Sequence, residues 1–292
     1  MLEVADLVRR FGDHVAVDGV SFTVPAGALT GFVGGNGAGK TTTMRMIMGV
    51  LAIHGGTVRW SGREVGTADR RGFGYMPEER GLYPKQPVLD QLIYLARLRG
   101  RSAPAARQRA GELLERFQLT ERGKDKLEAL SLGNQQRVQI AAAVIAEPKA
   151  LILDEPFSGL DPLAVDSMAE LLREYTAQGV PVLFSSHQLD LVERLCDQLV
   201  ILARGKVVGH GSADELRAGG RTRYRLALDG DPGWLDGFGG VRVIGSNGQG
   251  VLLELDGVST DDLLAEALRR GSVRELAAVR PTVAEIYREV TA

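Results

Sequence analysis

A glycine-rich segment behind an apolar stretch constrains this chain more than any other feature. The apolar stretch, residues 28–33, predicts a buried strand, and a helix is predicted to begin near Lys40. Between them the chain reads Gly34, Gly35, Asn36, Gly37, Ala38, Gly39, Lys40, Thr41 and Thr42. Glycines let several backbone N–H groups converge on one anion, and the helix N-terminus adds positive potential. The segment therefore predicts a phosphate-binding loop, in which Lys40 reaches the terminal phosphates of a nucleotide and Thr41 binds Mg²⁺.

A second apolar stretch ends in two carboxylates. Residues 151–153 predict a buried strand that ends at Asp154 and Glu155. The carboxyl edge of the sheet is where phosphates bind in open α/β folds. Asp154 is therefore expected to hold Mg²⁺, and Glu155 to polarise a water molecule that attacks the γ-phosphate.

The rest of the first 215 residues indicates a wound α/β core. Apolar runs at residues 180–184 and 199–202 predict further parallel strands, and residues 84–123 show helical spacing typical of an insertion. The composition and the pattern of apolar residues change after a short helical segment that is predicted to end at Gly219 and Gly220. Residues 221–292 predict a separate small α+β domain, with a hairpin that turns at residues 246–248 and two capped helices.

Composition excludes several classes of protein. The net charge of −2 offers no basic excess for a nucleic-acid backbone, so no nucleic-acid partner is expected. The single cysteine, Cys196, rules out an intramolecular disulfide and is interpreted as a core residue. His14, His54 and His210 share no ligand spacing and are interpreted as surface or turn residues. Without a signal peptide or a long apolar stretch, the chain is expected to be soluble and cytoplasmic.

Further motifs complete a family resemblance. Residues 130–137 read Leu-Ser-Leu-Gly-Asn-Gln-Gln-Arg, residues 158–162 read Ser-Gly-Leu-Asp-Pro, and residues 185–187 read Ser-Ser-His. In this order the set resembles an ATP-binding cassette (ABC) ATPase over residues 1–215. The resemblance implies a P-loop NTPase fold: a RecA-like core, an antiparallel β subdomain and a helical insertion at about 84–135. The tail, residues 221–292, is similar to the accessory domain of sodium-efflux and daunorubicin-resistance exporter ATPases.

The resemblance also implies roles for single residues. Phe11 would stack on adenine, and Glu78 would touch Mg²⁺ and the attacking water. His187 would hold the γ-phosphate and position Glu155. Three further residues, which would act across a dimer of cassettes, are Ser131 and Gly133 on the γ-phosphate of the opposite subunit and Asp161 between the two sites.

Two positions depart from the family pattern. Leu132 replaces the first glycine of the usual Leu-Ser-Gly-Gly-Gln signature, while Ser131 and Gly133 keep their places. Glu78 replaces a glutamine and adds negative charge near the metal. The function is expected to persist.

The implied function is that of the ATPase subunit of an exporter. Its expected cofactors are ATP and Mg²⁺. Its expected partners are a separate transmembrane permease and a second cassette, either identical or a close paralogue, at the inner face of the cell membrane. An importer ATPase, or a soluble cassette ATPase acting on ribosomes or chromosomes, is the alternative. Asp154 follows Lys40 by only 114 positions, with no sustained heptads between them, which argues against the chromosome type.

Overall fold

The computed structural model describes residues 1–79, 81–218, 222–248 and 250–291. The chain divides into two compact units, Met1–Ala213 and Asp214–Ala292. The predicted end of the helical piece at Gly219 and Gly220, and the start of the second domain at residue 221, lie outside the described residues.

The described residues of the first unit, 1–79 and 81–213, contain ten strands. They are β1 (Leu2–Phe11), β2 (His14–Val24), β3 (Leu29–Val33), β4 (Gly55–Trp60), β5 (Arg63–Glu64), β6 (Phe73–Met76), β7 (Ala150–Leu153), β8 (Val182–Ser186), β9 (Gln198–Ala203) and β10 (Lys206–Gly211). An antiparallel sheet has the order β2-β1-β4-β5. A second sheet has the order β10-β9-β3-β8-β7-β6, and its strands run parallel from β9 to β6. The wound α/β core predicted from the sequence is confirmed.

The helices of this unit are α1 (Lys40–Ile47), α2 (Thr67–Arg71), α3 (Val88–Leu98), α4 (Ala103–Arg116), α5 (Leu132–Val144), α6 (Pro162–Ala177) and α7 (Leu189–Leu195), while α8 (Ala213–Ala218) begins at the unit's last residue. Short 3₁₀ turns occur at Thr120–Arg122 and Leu127–Ala129. Helices α3 to α5 lie between β6 and β7 in the chain. Because these two strands are neighbours in the sheet, the three helices form an insertion at one place in the sheet. Among the helices in the described ranges, none is long and apolar enough to cross a membrane.

The ends of strand β8 differ from the sequence prediction. The apolar run predicted residues 180–184, whereas the strand covers Val182–Ser186. Pro181 precedes it and has no N–H for the ladder. Ser185 and Ser186 are buried because their hydroxyl groups are hydrogen-bonded, that of Ser185 to Asp154 and that of Ser186 to the Gln188 N–H. The prediction from the apolar run therefore placed both ends of this strand two residues too early.

The second unit contains a four-stranded antiparallel sheet in the order β12-β13-β11-β14. Its elements are β11 (Arg223–Asp229), a 3₁₀ turn (Pro232–Gly237), β12 (Val241–Asn247), β13 (Gly250–Leu255), α9 (Thr260–Arg270), β14 (Ser272–Val279) and α10 (Val283–Thr291). Leu226, Leu253 and Leu263 lie fully buried in its core. The buried Arg223 forms ion pairs with Glu254 on β13 and Glu289 on α10, which fasten α10 to the sheet.

The structure confirms both predicted caps of this unit and corrects its hairpin. Ser259 accepts a hydrogen bond from the Asp262 N–H at 3.0 Å, and Thr282 accepts one from the Glu285 N–H at 3.2 Å. The predicted hairpin forms and Gly248 lies in its turn, but Ser246 and Asn247 still belong to β12, where Asn247 pairs with Gly250. The pairing of β12 with β13 also shifts register between Val243 and Gly245.

Gly31 allows α7 to approach β3 closely. A Cβ at this position would lie 2.1 Å from Val192 Cγ1 and 2.8 Å from Cys196 Sγ. Cys196 is a packing residue here, and burial raises the pKa of its thiol well above the usual range.

We expect Gly31→Ala to lower the free energy of unfolding by about 1–3 kcal/mol, because the added methyl group overpacks a dense core. Gly111→Ala is the matched control: Gly111 lies in α4 with nothing within 4 Å of a Cβ. That variant should gain about 0.5–1 kcal/mol from helix propensity. Urea unfolding of the full chain, followed by circular dichroism, measures both. Equal stability of Gly31→Ala and wild type would contradict the close packing.

Candidate functional site

The glycine-rich loop connects β3 to α1, and two of its positions require residues without a side chain. Gly37 has φ 77° and Gly39 has φ 104°, both in the left-handed region. A Cβ on Gly39 would also lie 2.7 Å from the Ala16 carbonyl oxygen. The loop carries the buried Lys40, whose Nζ donates hydrogen bonds to the carbonyl oxygens of Gly34 at 2.7 Å and Gly35 at 3.3 Å. The ammonium group is thus held inside the curve of the loop.

The loop forms one wall of a cavity of about 430 Å³. Its lining combines the loop with residues from the antiparallel sheet and from the ends of β6 and β7: Phe11, His14, Ala16, Asn36, Gly37, Ala38, Gly39, Lys40, Thr41, Thr42, Glu78, Asp154 and Glu155. The structure therefore brings together the loop and both carboxylates that the sequence singled out.

Asp154 lies at the end of β7 and is fully buried. Its Oδ1 accepts a hydrogen bond from the Ser185 hydroxyl at 2.5 Å, while its buried Oδ2 has no hydrogen-bond partner in the described parts of the chain. Burial raises the pKa of Asp154, and the Glu78 carboxylate raises it further, whereas Ser185, Thr41 and Lys40 act in the opposite direction. A buried oxygen without a partner is costly unless something binds to it, so Oδ2 fits a cation ligand.

Glu78 lines the same cavity as Asp154. It is exposed at the end of β6, and the Thr41 hydroxyl donates a hydrogen bond to its Oε2 at 3.3 Å. Two carboxylates and a hydroxyl are hard oxygen ligands of the kind that Mg²⁺ prefers. In the described residues no group of three or more His, Cys, Asp or Glu side chains forms a metal site. Thr41, Glu78 and Asp154 are the residues of this chain that would hold a Mg²⁺ ion.

Glu155 and His187 form a pair at the carboxyl edge of the sheet. His187 Nδ1 lies 3.1 Å from Glu155 Oε2, and the Glu155 side chain is largely buried while that of His187 is half-exposed. Burial raises the pKa of Glu155, and the neighbouring His187 and Lys40 lower it. Glu155 has φ 51°, a conformation that costs a residue with a side chain about 1–3 kcal/mol. Such strain is typical of functional sites.

Phe11 and His14 lie on the hairpin that closes the other end of the cavity. Phe11 is 47% exposed, and the Arg9 guanidinium lies 4.7 Å from the centre of its ring. An exposed, cation-supported aromatic ring suits stacking on a nucleobase. His14, interpreted from the sequence as a surface or turn residue, also lines the cavity. It reaches the cavity because it pairs with Phe11 across the hairpin, a contact that the sequence pattern did not indicate.

Six predicted site residues do not line this cavity: Gly34 and Gly35 at the start of the loop, His187, and the three residues Ser131, Gly133 and Asp161. Ser131 caps α5 by accepting a hydrogen bond from the Asn134 N–H at 3.3 Å, and Gly133 follows in the first turn of that helix. Asp161 caps α6, accepting a hydrogen bond from the Ala164 N–H at 2.9 Å. Within one chain these caps account for Ser131 and Asp161.

A neighbouring cavity is lined by Asn36, Glu78, Leu132, Gln136, Glu155, Ser158 and His187. Leu132 is 48% exposed and covers Gly159, where a Cβ would lie 2.6 Å from Leu132 Cδ2. Two residues to which sequence reasoning gave no role, Ser185 and Gln136, bond the backbone around Glu155.

Known proteins share both parts of this chain. Residues 17–158 match the family described as ABC transporter, and residues 211–291 match the C-terminal domain of ATP-binding protein DrrA1-3-like. The uncharacterized ABC transporter ATP-binding protein YhaQ of Bacillus subtilis is 41% identical over 99% of this chain and 98% of its own length. Nod factor export ATP-binding protein I of Burkholderia lata is 37% identical over 74% of this chain and 72% of its own length. A solved structure of an ATP-binding subunit of an ABC transporter, 32% identical, covers 92% of this chain and 99% of its own, with a TM-score of 0.69.

Proposed function

Because this chain belongs to the ABC transporter family, whose ATP-binding subunits are ATPases, we propose that it is the ATPase subunit of an exporter. Subunits of this family dimerise and act with a transmembrane permease. Export is supported by the relative named for Nod factor export and by the DrrA-like C-terminal domain. The observation that carries the proposal is the cavity in which Lys40, Asp154 and Glu155 surround the space above the glycine-rich loop.

In this proposal the loop and Lys40 bind the phosphates, and Phe11 supports the adenine ring. The backbone N–H groups at the start of α1 and the Lys40 ammonium group present positive charge to the phosphate oxygens. Thr41, Asp154 and Glu78 would hold Mg²⁺. When bound, the ion neutralises charge on the phosphate oxygens.

The Glu155 carboxylate accepts a proton from the water that attacks the γ-phosphate. His187, whose Nδ1 lies 3.1 Å from the Glu155 carboxylate, holds that carboxylate in place and would also contact the γ-phosphate. Because burial raises the pKa of Glu155, the group is a stronger base than an exposed glutamate.

Two cassettes would close head-to-tail around two ATP molecules. Ser131 and Gly133 at the start of α5 would contact the γ-phosphate bound by the other cassette, and Asp161 would connect the two sites. ADP lacks the γ-phosphate and cannot make this bridge, so ATP favours the closed dimer. A difference of about 3 kcal/mol changes the ratio of closed to open dimer by more than a hundredfold. The chain would lie at the inner face of the membrane through its permease.

Affinity purification tests this function directly. Tagged Glu155→Gln protein is purified with ATP from detergent-solubilised native membranes, with Lys40→Ala as the control whose nucleotide binding is weakened. We expect a polytopic membrane protein to co-purify with Glu155→Gln in ATP-dependent amounts. Ribosomal proteins, or a homodimer alone, would contradict the transporter function.

The direction of transport is tested with the permease in hand. In inverted membrane vesicles that hold both chains, an exporter consumes external ATP and accumulates the cargo inside. ATP-dependent loss of cargo from these vesicles would show import instead.

A further inference from the structure

Two buried side chains from different elements hold the backbone of Glu155. The Glu155 N–H donates a hydrogen bond to Ser185 Oγ at 2.8 Å. Gln136 Nε2 donates to the carbonyl oxygens of Glu155 and Pro156, each at 3.0 Å. The residue between these contacts has φ 51°, which a residue with a side chain rarely adopts by itself. Contacts on both flanking peptide groups offset the strain.

The chemistry of Ser185 fixes the direction of each of its hydrogen bonds. A backbone N–H can only donate, so the serine oxygen accepts from Glu155 and gives its single proton to Asp154 Oδ1 at 2.5 Å. Ser185 is fully buried, so bulk water cannot take over either bond. By occupying Oδ1 it leaves Oδ2 as the oxygen of Asp154 that is available to a cation.

The position of Ser185 in the sheet explains why a side chain is needed. Strands β7 and β8 pair in parallel up to Leu153 and Phe184. Beyond these residues the Asp154 N–H still bonds the Met76 carbonyl on β6, whereas the next N–H on the β8 side, that of Glu155, bonds the Ser185 hydroxyl and not a backbone carbonyl. The Ser185 hydroxyl replaces the missing ladder bond at the point where Asp154 and Glu155 leave the strand.

We propose that Ser185 and Gln136 are positioning residues that clamp Glu155 in its left-handed conformation and aim its carboxylate at His187 and the attacking water. The clamp rests on the proposed role of Glu155 as the general base. Gln136 lies on α5, the helix that Ser131 caps. A shift of α5 relative to β7 therefore acts directly on the Glu155 carbonyl, which links the base to the helix that would face the second cassette.

The first test compares Ser185→Ala with wild type. We expect kcat for ATP hydrolysis to fall about 10- to 100-fold, because a small misplacement of a catalytic group has effects of this size. The Kd for ATP, measured by calorimetry, should stay within about threefold, because the phosphate loop is untouched. Ser185→Thr keeps the hydroxyl and should recover most of kcat. A Thr variant with the wild-type melting temperature and the low kcat of the Ala variant would overturn the proposal.

Thr30→Val is the matched control for the loss of a buried strand hydroxyl. Thr30 lies on β3, beside β8, fully buried, and its Oγ1 has no hydrogen-bond partner among the described residues. Its removal should leave kcat and the Kd for ATP unchanged. If Thr30→Val lost as much kcat as Ser185→Ala, the effect would be a general response to altered packing and the clamp would be refuted.

A double-mutant cycle with Gln136→Leu tests whether the two residues act on one backbone unit. Each single variant should lower kcat. The double variant should lower it by less than the product of the two effects, because either substitution alone already frees the Glu155 backbone. Fully multiplicative effects would show independent roles. Glu155→Gln, assayed alongside, distinguishes a failure of the proposed role of Glu155 as the base from a failure of the clamp. Full turnover in that variant would contradict the assignment of the base, whereas wild-type kcat in Ser185→Ala with an inactive Glu155→Gln would contradict the clamp alone.

Discussion

A Glu155→Gln variant is expected to bind ATP with nearly wild-type affinity and to hydrolyse it roughly 10²- to 10⁴-fold more slowly, the usual effect of removing a general base. The amide keeps the size of the side chain and its contact with His187 but cannot take a proton from water. The backbone contacts to Ser185 and Gln136 do not involve the carboxylate, so the local fold is preserved.

Phosphate release under single-turnover conditions and ATP calorimetry together measure this effect. Glu128→Gln serves as the control, because it removes the same charge from an exposed position in a 3₁₀ turn. The slow variant should also form a dimer in size-exclusion chromatography with ATP but not with ADP, since bound ATP persists. Turnover at the wild-type rate would remove Glu155 from the mechanism.

The phosphate loop could be predicted from the sequence because its information is local. A buried strand, glycines at φ 77° and 104° and a helix that begins at Lys40 are all encoded within twelve residues. The same holds for Asp154, since a short apolar run before a carboxylate places that carboxylate at the sheet edge. Local patterns of this kind also predicted the caps at Ser259 and Thr282.

The contacts that Ser185 and His14 make around the site could not be predicted, because they depend on how strands distant in the sequence align. Ser185 reaches Asp154 across 31 residues only because β7 and β8 pair in one particular register. His14 enters the cavity wall because β1 and β2 fold back on each other at Phe11. The sequence pattern does not show which residues of two strands lie opposite each other, so these contacts could be identified only in the folded sheets.

Lys40→Ala is expected to weaken ATP binding itself, in contrast to Glu155→Gln. The ammonium group is buried and donates to the Gly34 and Gly35 carbonyl oxygens inside the loop, and Lys40 lines the cavity in which the phosphates would bind. A hydrogen bond to a charged group contributes about 1.5–3 kcal/mol, which corresponds to roughly a 10- to 150-fold loss of affinity. Calorimetric titration with ATP gives the value.

Two further variants separate lost charge from lost packing around Lys40. Lys40→Met keeps an unbranched apolar stem of similar length, so it should lose ATP affinity as strongly as Lys40→Ala while retaining more of the wild-type stability. Lys124→Ala removes an exposed lysine and should leave the Kd unchanged. If Lys40→Met bound ATP like wild type, the ammonium group would not contact the phosphates, and the loop would act through its backbone N–H groups alone.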